Sequence, residues 1–321
     1  MTDTPTMKAW QFTYTHEPLR LTDVPVPTPG EGEVVLDMKA AGLCHSDVGL
    51  MEDPAWLDII AKYPITMGHE NAGVVAEVGP GVTEVKVGDR VGVCPTTHVG
   101  APGHHYDGGW APKLLVEAHT LVPLPDNVDF IYGAAATDAG MTSHQAVIGK
   151  GQVKEGDTVG IIGLGGLGQL GAAIAKLAGA KVYAAEINEK AWQVAEDLQL
   201  DGVQKNIKDF EDITFDVIVD FAGFGTTTAD AVEKVRRDGT VVIIGMGKLS
   251  SEINTGTMIL NQVKLLGSSG GTKEDIAGVY EYMSTGKLNP TITTISFDEI
   301  PAGIEKLKNG EVVGRLVASF E

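Results

Sequence analysis

The chain has 321 residues, which is enough for two domains with substantial cores. Its composition, with 43% hydrophobic and only 6% aromatic residues, suits an α/β protein. A formal charge of −19 argues against nucleic acid and anionic membranes as partners. No stretch approaches the ~18 uninterrupted apolar residues of a membrane span, and the N-terminus lacks the pattern of a signal peptide. Only two cysteines occur, so a disulfide framework is improbable. We therefore expect a cytoplasmic protein.

The N-terminal part of the chain has the pattern of β-structure. Residues 7–40 alternate between apolar and polar positions and are broken by Pro and Gly turns. A loop after Gly42 leads into a predicted helix, and residues 73–78 predict a further strand. Residues 1–149 therefore predict a partly open β-barrel, with a loop at 93–110 that is rich in Gly, Pro and His.

The later part of the chain alternates between strands and helices. Residues 131–149 are Ala-rich with helical spacing and are expected to bridge two domains. The alternation that follows predicts a doubly wound parallel sheet with helices on both faces, and the tail is expected to rejoin the first domain. The predicted division is 1–149, completed by 288–321, and 150–287.

A glycine motif opens this second domain. Val159–Ile162 predict a buried strand, followed by G-x-G-x-x-G at Gly163, Gly165 and Gly168 and a helix over 167–177. Two glycines let the turn bring backbone N–H groups against a pyrophosphate, and the third lets helix and strand pack closely. A Gly-rich turn without nucleotide is the alternative, but the complete strand, helix and second strand favour dinucleotide binding.

The second strand of the motif ends on an acidic residue, Glu186. A carboxylate there accepts hydrogen bonds from both ribose hydroxyls and repels a 2′-phosphate, which favours NAD(H) over NADP(H). Asn188 and Lys190 leave NADP(H) open, because a nearby Lys could receive a phosphate. Gly166 and Leu167 complete the predicted cofactor-binding turn.

Cys44, His69 and Asp138 are potential metal ligands of mixed S, N and O type. A catalytic zinc takes three protein ligands and keeps one position open. Their spacing alone proves no site, since they could equally be a small buried hydrophobe, a satisfied loop histidine and a helix cap.

The surrounding phrases resemble the zinc-dependent medium-chain dehydrogenase/reductase family, which includes the zinc alcohol dehydrogenases. In chain order the phrases are GLCHSD (42–47), GHENAGVV (68–75), GDRV (88–91), DGGW (107–110), DAGMT (138–142) and GLGGLG (163–168). They extend over essentially the whole chain. The resemblance implies an α/β protein with a GroES-like partly open β-barrel catalytic domain and a Rossmann domain.

The resemblance also implies the parts of a metal centre. Cys44, His69 and Asp138 would hold one catalytic Zn²⁺, with Asp138 where some members have a second cysteine. Asp47 resembles the carboxylate that orients the zinc-bound imidazole. Glu70 is similar to a glutamate that approaches the metal and helps exchange its fourth ligand.

Further positions are implied around substrate and cofactor. Ser46 resembles the hydroxyl residue bonded to the substrate oxygen, from which it accepts the proton. His45 is similar to a residue that contacts cofactor phosphate, and Thr142 to one that packs against nicotinamide. Met246 is expected to line the cleft between the domains, on the cofactor side.

Two departures from the family pattern stand out. Cys94 is alone where many members have four cysteines for a structural zinc, so that site cannot be built. His98, His104 and His105 could form a replacement, but histidines in a Gly/Pro loop are more often solvent-facing or pocket-lining. Several members also have a proton-relay histidine at the position of Gly49.

The function implied is a zinc-dependent alcohol dehydrogenase or carbonyl reductase. It would transfer hydride between a nicotinamide cofactor and a small primary or secondary alcohol, or the matching aldehyde or ketone. A polyol or sugar dehydrogenase would run the same reaction on another alcohol. A zinc-free NADPH-dependent quinone or enoyl reductase and a non-catalytic dinucleotide-binding protein are the competing hypotheses. The family implies a homodimer or homotetramer.

Overall fold

The computed structural model describes residues 5–320 of the chain. It divides into two compact units: residues up to Asp138 with those from Thr272 onward, and Ala139–Gly271. The predicted division had residues 139–149 in the first domain and residues 272–287 in the second. In the structure, residues 139–149 belong to the second unit and residues 272–287 to the first. Within 5–320, none of the helices is both long and apolar enough to cross a membrane.

The first unit begins with short strands joined by turns. They are β1 (Thr6–Phe12), β2 (Arg20–Pro25), β3 (Glu33–Leu43), β4 (Ile65–Thr66), β5 (Asn71–Val78), β6 (Arg90–Val93), β7 (Lys113–Glu117) and β8 (Leu121–Pro123). Strands β2, β1 and β4 form one antiparallel sheet in that order. Helix α1 (His45–Glu52) follows β3, and 3₁₀ turns occupy Pro54–Ile59 and Ala118–Thr120.

A helical run follows the barrel strands. It comprises α2 (Phe130–Ala135), a π-helical turn at Ala136–Gly140, α3 (Met141–His144) and a second π-helical turn at Gln145–Lys150. The Ala-rich composition accounts for the helix, because alanine has the highest helix propensity. π-helical turns are rare and often occur at functional sites, and the first of them carries Asp138.

The second unit is built on a parallel sheet. Its elements are β9 (Thr158–Ile162), α4 (Gly168–Leu177), β10 (Lys181–Ala185), α5 (Trp192–Asp197), β11 (Gly202–Gln204), β12 (Phe215–Asp220), α6 (Thr226–Lys234), β13 (Val235–Ile243), α7 (Thr255–Leu260) and β14 (Lys264–Gly267), with 3₁₀ turns at Glu189–Ala191 and Ile207–Asp209. The strand order β11-β10-β9-β12-β13-β14 is that of a doubly wound dinucleotide-binding fold. The short helix α7 was not predicted from the sequence.

The C-terminal segment completes the first unit. It contains α8 (Lys273–Ser284), β15 (Ile292–Ser296), a 3₁₀ turn at Phe297–Glu299, α9 (Ile300–Lys308) and β16 (Arg315–Ser319). The larger sheet of this unit has the order β15-β16-β3-β5-β6-β8, and β7 also pairs with β3. Leu316 of β16 lies opposite Leu43 of β3, so the start of β16 is next to the strand end that leads into Cys44.

Candidate active site

Potential metal ligands converge in the first unit. Cys44, His69, Glu70 and Asp138 each bring one ligand atom to within 4.8 Å of the others. Asp138 Oδ2 is 3.6 Å from His69 Nε2 and 3.9 Å from Cys44 Sγ. Two ligand atoms around a tetrahedral zinc lie about 3.4–3.6 Å apart, given the usual bond lengths. The structure therefore brings the three predicted ligands together at a spacing that suits a metal.

Asp47 links the Cys44 backbone to the imidazole of His69. Cys44 N donates a hydrogen bond of 2.8 Å to Asp47 Oδ2 at the start of α1. The other oxygen of this fully buried carboxylate, Oδ1, lies 3.4 Å from His69 Nδ1. Burial acts to lower the pKa of His69, but the Asp47 and Asp138 carboxylates outweigh it and raise that pKa well above its ordinary value. Asp47 thus faces the nitrogen that a metal at Nε2 would leave available.

The loop that presents His69 depends on a glycine. Gly68 has φ +100°, and a Cβ built on it would lie 2.4 Å from Trp110 Cδ1. Trp110 is fully buried, and its backbone N donates to Met67 O at 2.8 Å. Asn71 Nδ2 donates to Gly68 O at 3.0 Å. Positive φ and lack of space both require glycine here, so His69 leaves a tightly held backbone.

A threonine next to Asp138 anchors the π-helical turn. Thr137 Oγ1 donates to Ala134 O at 2.8 Å and accepts from Asn71 N at 3.1 Å. The second bond reaches the first residue of β5, two residues beyond His69. The turn is therefore fixed to the same strand that follows the histidine.

Glu70 forms a buried ion pair that the sequence did not reveal. Arg315 Nη2 contacts Glu70 Oε1 and donates to Leu43 O at 3.1 Å, and both charged side chains are almost fully buried. Gly42 provides the room, since a Cβ there would lie 1.9 Å from Glu70 Oε2. Burial raises the pKa of Glu70 to about 7, and the Arg315 charge acts in the opposite direction.

The second oxygen of Glu70, Oε2, lies beside Gly42 and is not used by the ion pair with Arg315. Oε2 is buried and has no hydrogen-bond partner among the residues the structure describes. Buried polar atoms of native proteins almost always have a partner, so an orphaned carboxylate oxygen beside a thiol, an imidazole and a second carboxylate fits a cation. A mixed S, N and O donor set suits zinc.

The three histidines of the 93–110 loop face different partners. The ring of His104 lies against His69, with centroids 4.8 Å apart. Burial and the charge of His69 lower the pKa of His104 to about 4. His105 Nδ1 accepts from Ala101 N at 3.0 Å, and His98 stacks on His119. They do not form the common replacement site considered from the sequence.

The first turn of α1 carries the other predicted catalytic residues. Ser46 is half-buried and His45 exposed. Although the His45 residue is exposed by its surface area, the surrounding protein partly desolvates its imidazole, and this desolvation and the Arg315 charge lower the pKa of His45. A Cβ at Gly49 would lie 2.7 Å from Trp56 Cε2, so the indole takes the space that a side chain at position 49 would need.

In the second unit, each glycine of the motif has its own role. Gly163 has φ +86°, as the turn requires, and a Cβ at Gly168 would lie 1.8 Å from Gly163 O. No described protein atom lies within 4 Å of a Cβ built at Gly165. The space above the turn is therefore open at this position, as the close approach of a pyrophosphate would require. Gly166 and Leu167 lie half-buried in the same turn.

Glu186 is held against the glycine turn. Its carboxylate accepts from Leu164 N and from Asn188 N, each at 2.7 Å. Trp192 Nε1 donates to Glu186 O at 2.8 Å and fixes the backbone. A carboxylate offers about four acceptor positions, so two remain for ribose hydroxyls.

Two further predicted cofactor residues differ in exposure. Thr142 is buried on α3, and the next residue, Ser143, donates from Oγ to Leu167 O at 2.9 Å. Met246 follows β13 and is 54% exposed, at the carboxyl edge of the parallel sheet. Ligands of doubly wound sheets bind at that edge.

Comparisons with known proteins agree with this architecture. Residues 30–126 match the family model of the alcohol dehydrogenase GroES-like domain, and residues 166–285 match that of the zinc-binding dehydrogenase. An alcohol dehydrogenase of Geobacillus stearothermophilus is 31% identical over 98% of this chain and 99% of its own.

Solved structures give the same result. Acetophenone reductase from Geotrichum candidum, in complex with NAD, has a TM-score of 0.89 and 28% identity, covering 98% of this chain and 97% of its own. An alcohol dehydrogenase of Aeropyrum pernix has a TM-score of 0.90 and 28% identity, covering 98% and 100%. Fold and matches together define a medium-chain dehydrogenase. The chain belongs to the zinc-dependent medium-chain dehydrogenase/reductase family, which confirms the family and fold class predicted from the sequence.

We expect Arg315→Met to lower the free energy of unfolding by about 3–5 kcal/mol, because it leaves the Glu70 carboxylate buried without its partner. The double variant Arg315→Met, Glu70→Gln should recover most of that loss. Urea denaturation measures both. The control is Arg20→Met, which breaks an exposed ion pair of 2.8 Å with Glu17 and should cost under about 1 kcal/mol. An Arg315→Met loss no larger than the control would contradict this assignment.

Asp47→Asn should weaken zinc binding about 10- to 100-fold, because an amide orients the His69 imidazole less strongly than a carboxylate. Asn retains an oxygen that can accept from Cys44 N, so the helix start is preserved. Competition with a chromophoric chelator gives the affinity. Asp53→Asn is the matched control, since Asp53 caps the next helical turn at Ala55 N and lies outside the cluster. Equal affinities for the two variants would refute the role of Asp47.

Proposed function

We propose that this chain is a zinc-dependent alcohol dehydrogenase or carbonyl reductase, which transfers hydride between NAD(H) and a small alcohol, aldehyde or ketone. The observation that carries the proposal is the cluster of Cys44, His69 and Asp138, with the Asp47 carboxylate behind the imidazole. The names of the relatives support the same reaction class, since they are alcohol dehydrogenases and a ketone reductase.

Within this proposal, Cys44, His69 and Asp138 hold the metal. A zinc ion bound there supplies Lewis acidity to the substrate oxygen and stabilises its negative charge. Asp47 fixes the imidazole. Glu70 belongs to the same cluster, where Arg315 neutralises Oε1 and Oε2 is left without a hydrogen-bond partner among the described residues. Replacing a second thiolate with the Asp138 carboxylate keeps the ligand charge and makes the site harder.

Proton transfer falls to the first turn of α1. Ser46 is two residues from Cys44 and half-buried, which suits a hydroxyl that accepts the proton of the substrate alcohol. Gly49 has no side chain that could relay a proton, and Trp56 occupies the space that one would need. The proton therefore leaves Ser46 through ribose hydroxyls, water or another histidine such as the exposed His45.

The cofactor preference rests on Glu186. A bound nicotinamide dinucleotide supplies the hydride carrier. The Glu186 carboxylate is held beside the turn by two backbone N–H groups, so a 2′-phosphate would meet a fixed negative charge. Asn188, the other residue that left NADP(H) open, is engaged in the structure, because its Oδ1 accepts a hydrogen bond from Lys190 N and caps the short turn there. NAD(H) is therefore preferred over NADP(H).

Quaternary structure remains a prediction from the family resemblance. Strand β14 lies at one edge of the parallel sheet. The neighbouring helix α7 exposes Ile259 and Leu260, each 73% accessible. An apolar surface beside a sheet edge is compatible with a homodimer or homotetramer.

Cys44→Ala should lose its zinc at the catalytic site and reduce kcat/KM about 10³-fold, because Lewis-acid stabilisation is worth several kcal/mol. Turnover with a panel of alcohols, aldehydes and ketones, together with metal analysis, measures both effects. Cys94→Ala is the control at the other cysteine. If Cys44→Ala reduces quinones or enones as well as the unsubstituted protein does, the zinc-free reductase is correct. If NADH binds but no carbonyl is turned over by the metal-loaded protein, the non-catalytic hypothesis is correct.

Glu186→Gln should raise kcat/KM with NADP(H) by about tenfold or more relative to NAD(H), because it removes a charge that repels the 2′-phosphate. Steady-state kinetics with both cofactors measures the ratio. Glu189→Gln, which removes an exposed charge paired with Lys205, should leave the ratio unchanged. An unaltered ratio in Glu186→Gln would remove the basis for NAD(H) preference.

A further inference from the structure

A second group of metal-ligating side chains lies in the first unit, outside the active-site cluster. It consists of His98, Glu117 and His119, called here the His98 cluster. His98 belongs to the loop after β6, Glu117 ends β7, and His119 lies in the 3₁₀ turn that leads to β8. None of these residues takes part in the reaction proposed above.

The geometry of the His98 cluster is close to that of a metal site. One ligand atom from each residue lies within 4.8 Å of the others. His119 Nδ1 is 3.0 Å from Glu117 Oε2, and the His98 ring stacks on the His119 ring with centroids 4.8 Å apart and an interplanar angle of 20°. Imidazole and carboxylate ligands of zinc lie about 3.4 Å apart. The pair of Glu117 and His119 is thus near that spacing already.

The backbone of Glu117 and that of His119 are held by hydrogen bonds. Glu117 lies opposite Glu33 in the β3–β7 ladder. Lys273 Nζ donates to His119 O at 2.7 Å, so this ammonium group is bonded to the backbone beside the imidazole. Cys94 N donates to Thr120 O at 2.9 Å and fixes the start of the His98 loop to the same turn.

His98 is the residue of the His98 cluster whose side chain is most exposed to solvent. It is exposed, and its ligand atom lies within 4.8 Å of those of Glu117 and His119, so its ring must leave the stack on His119 and move closer to share a cation with them. Two nitrogen donors and one carboxylate suit zinc and related transition metals rather than calcium or magnesium. A chain with a formal charge of −19 also attracts divalent cations.

We propose that His98, Glu117 and His119 bind a second transition-metal ion, of the zinc class, with water completing its coordination. The ion cross-links the loop after β6 to the β7–β8 turn. The same loop carries His104, whose ring lies against His69, so the second metal also steadies one wall of the active-site cluster. This inference does not depend on the proposed dehydrogenase activity.

The test is metal binding to the full-length chain after chelator washing. Zn²⁺ is titrated into the unsubstituted protein and into Cys44→Ala, His98→Asn and the double variant, and bound metal is measured by elemental analysis after removal of free ion. We expect two equivalents of Zn²⁺ in the unsubstituted protein, one in each of the two single variants and none in the double variant. His105→Asn is the matched control from the same loop, because Asn can keep the hydrogen bond from Ala101 N, and it should bind two.

Co²⁺ distinguishes the two sites by their ligands. Bound in His98→Asn, it should show a thiolate-to-metal charge-transfer band from Cys44. Bound in Cys44→Ala, it should show ligand-field bands without that transition. One equivalent in the unsubstituted protein, or two in His98→Asn and in His119→Asn, would overturn the second site. Loss of all metal from Cys44→Ala would do the same, whatever the result of the activity assays.

Discussion

The buried ion pair between Arg315 and Glu70 is the interaction on which the active-site cluster depends most. Removing two charges from water costs several kcal/mol for each, and only close contact and added hydrogen bonds compensate for it. Arg315 meets this condition by contacting Glu70 and donating to Leu43 O. Since Leu43 precedes Cys44 and Glu70 follows His69, one guanidinium fixes two of the three segments that carry the proposed metal ligands. The C-terminal strand thus completes a site whose recognisable motifs lie far upstream.

Several glycines are needed in this structure because a side chain at their positions would collide with neighbouring groups. Gly42 makes room for Glu70, Gly68 for Trp110 and Gly168 for the carbonyl of Gly163. Gly165 differs, because open space surrounds its Cβ position within the described structure. The first three glycines serve the packing of the protein, whereas the fourth has the free space that the approach of the proposed cofactor would require.

Local sequence patterns predicted much of this structure. The glycine motif and the alternation of strands and helices were sufficient for the Rossmann fold, since each depends on residues close together in sequence. The phrases around Cys44, His69 and Asp138 were sufficient to nominate a ligand set.

What the sequence missed depends on long-range register and loop conformation. Arg315 has no motif around it, and only the pairing of β16 with β3 places it beside Glu70. The contact of His104 with His69 and that of His98 with His119 follow from the path of one loop. A close approach of this kind cannot be deduced from spacing, because Gly/Pro-rich loops have no fixed periodicity. Contacts of this kind are found only in the three-dimensional structure.

In the proposed active site, one thiolate, one imidazole and one carboxylate hold the catalytic metal. X-ray absorption at the zinc K-edge, on His98→Asn loaded with one equivalent of Zn²⁺, tests it most directly. We expect one sulfur at about 2.3 Å and the remaining ligands as nitrogen or oxygen at about 2.0–2.2 Å. A coordination shell without sulfur would show that Cys44 is not a ligand. A shell with two sulfurs would show that Cys94 replaces Asp138, which would contradict the site described.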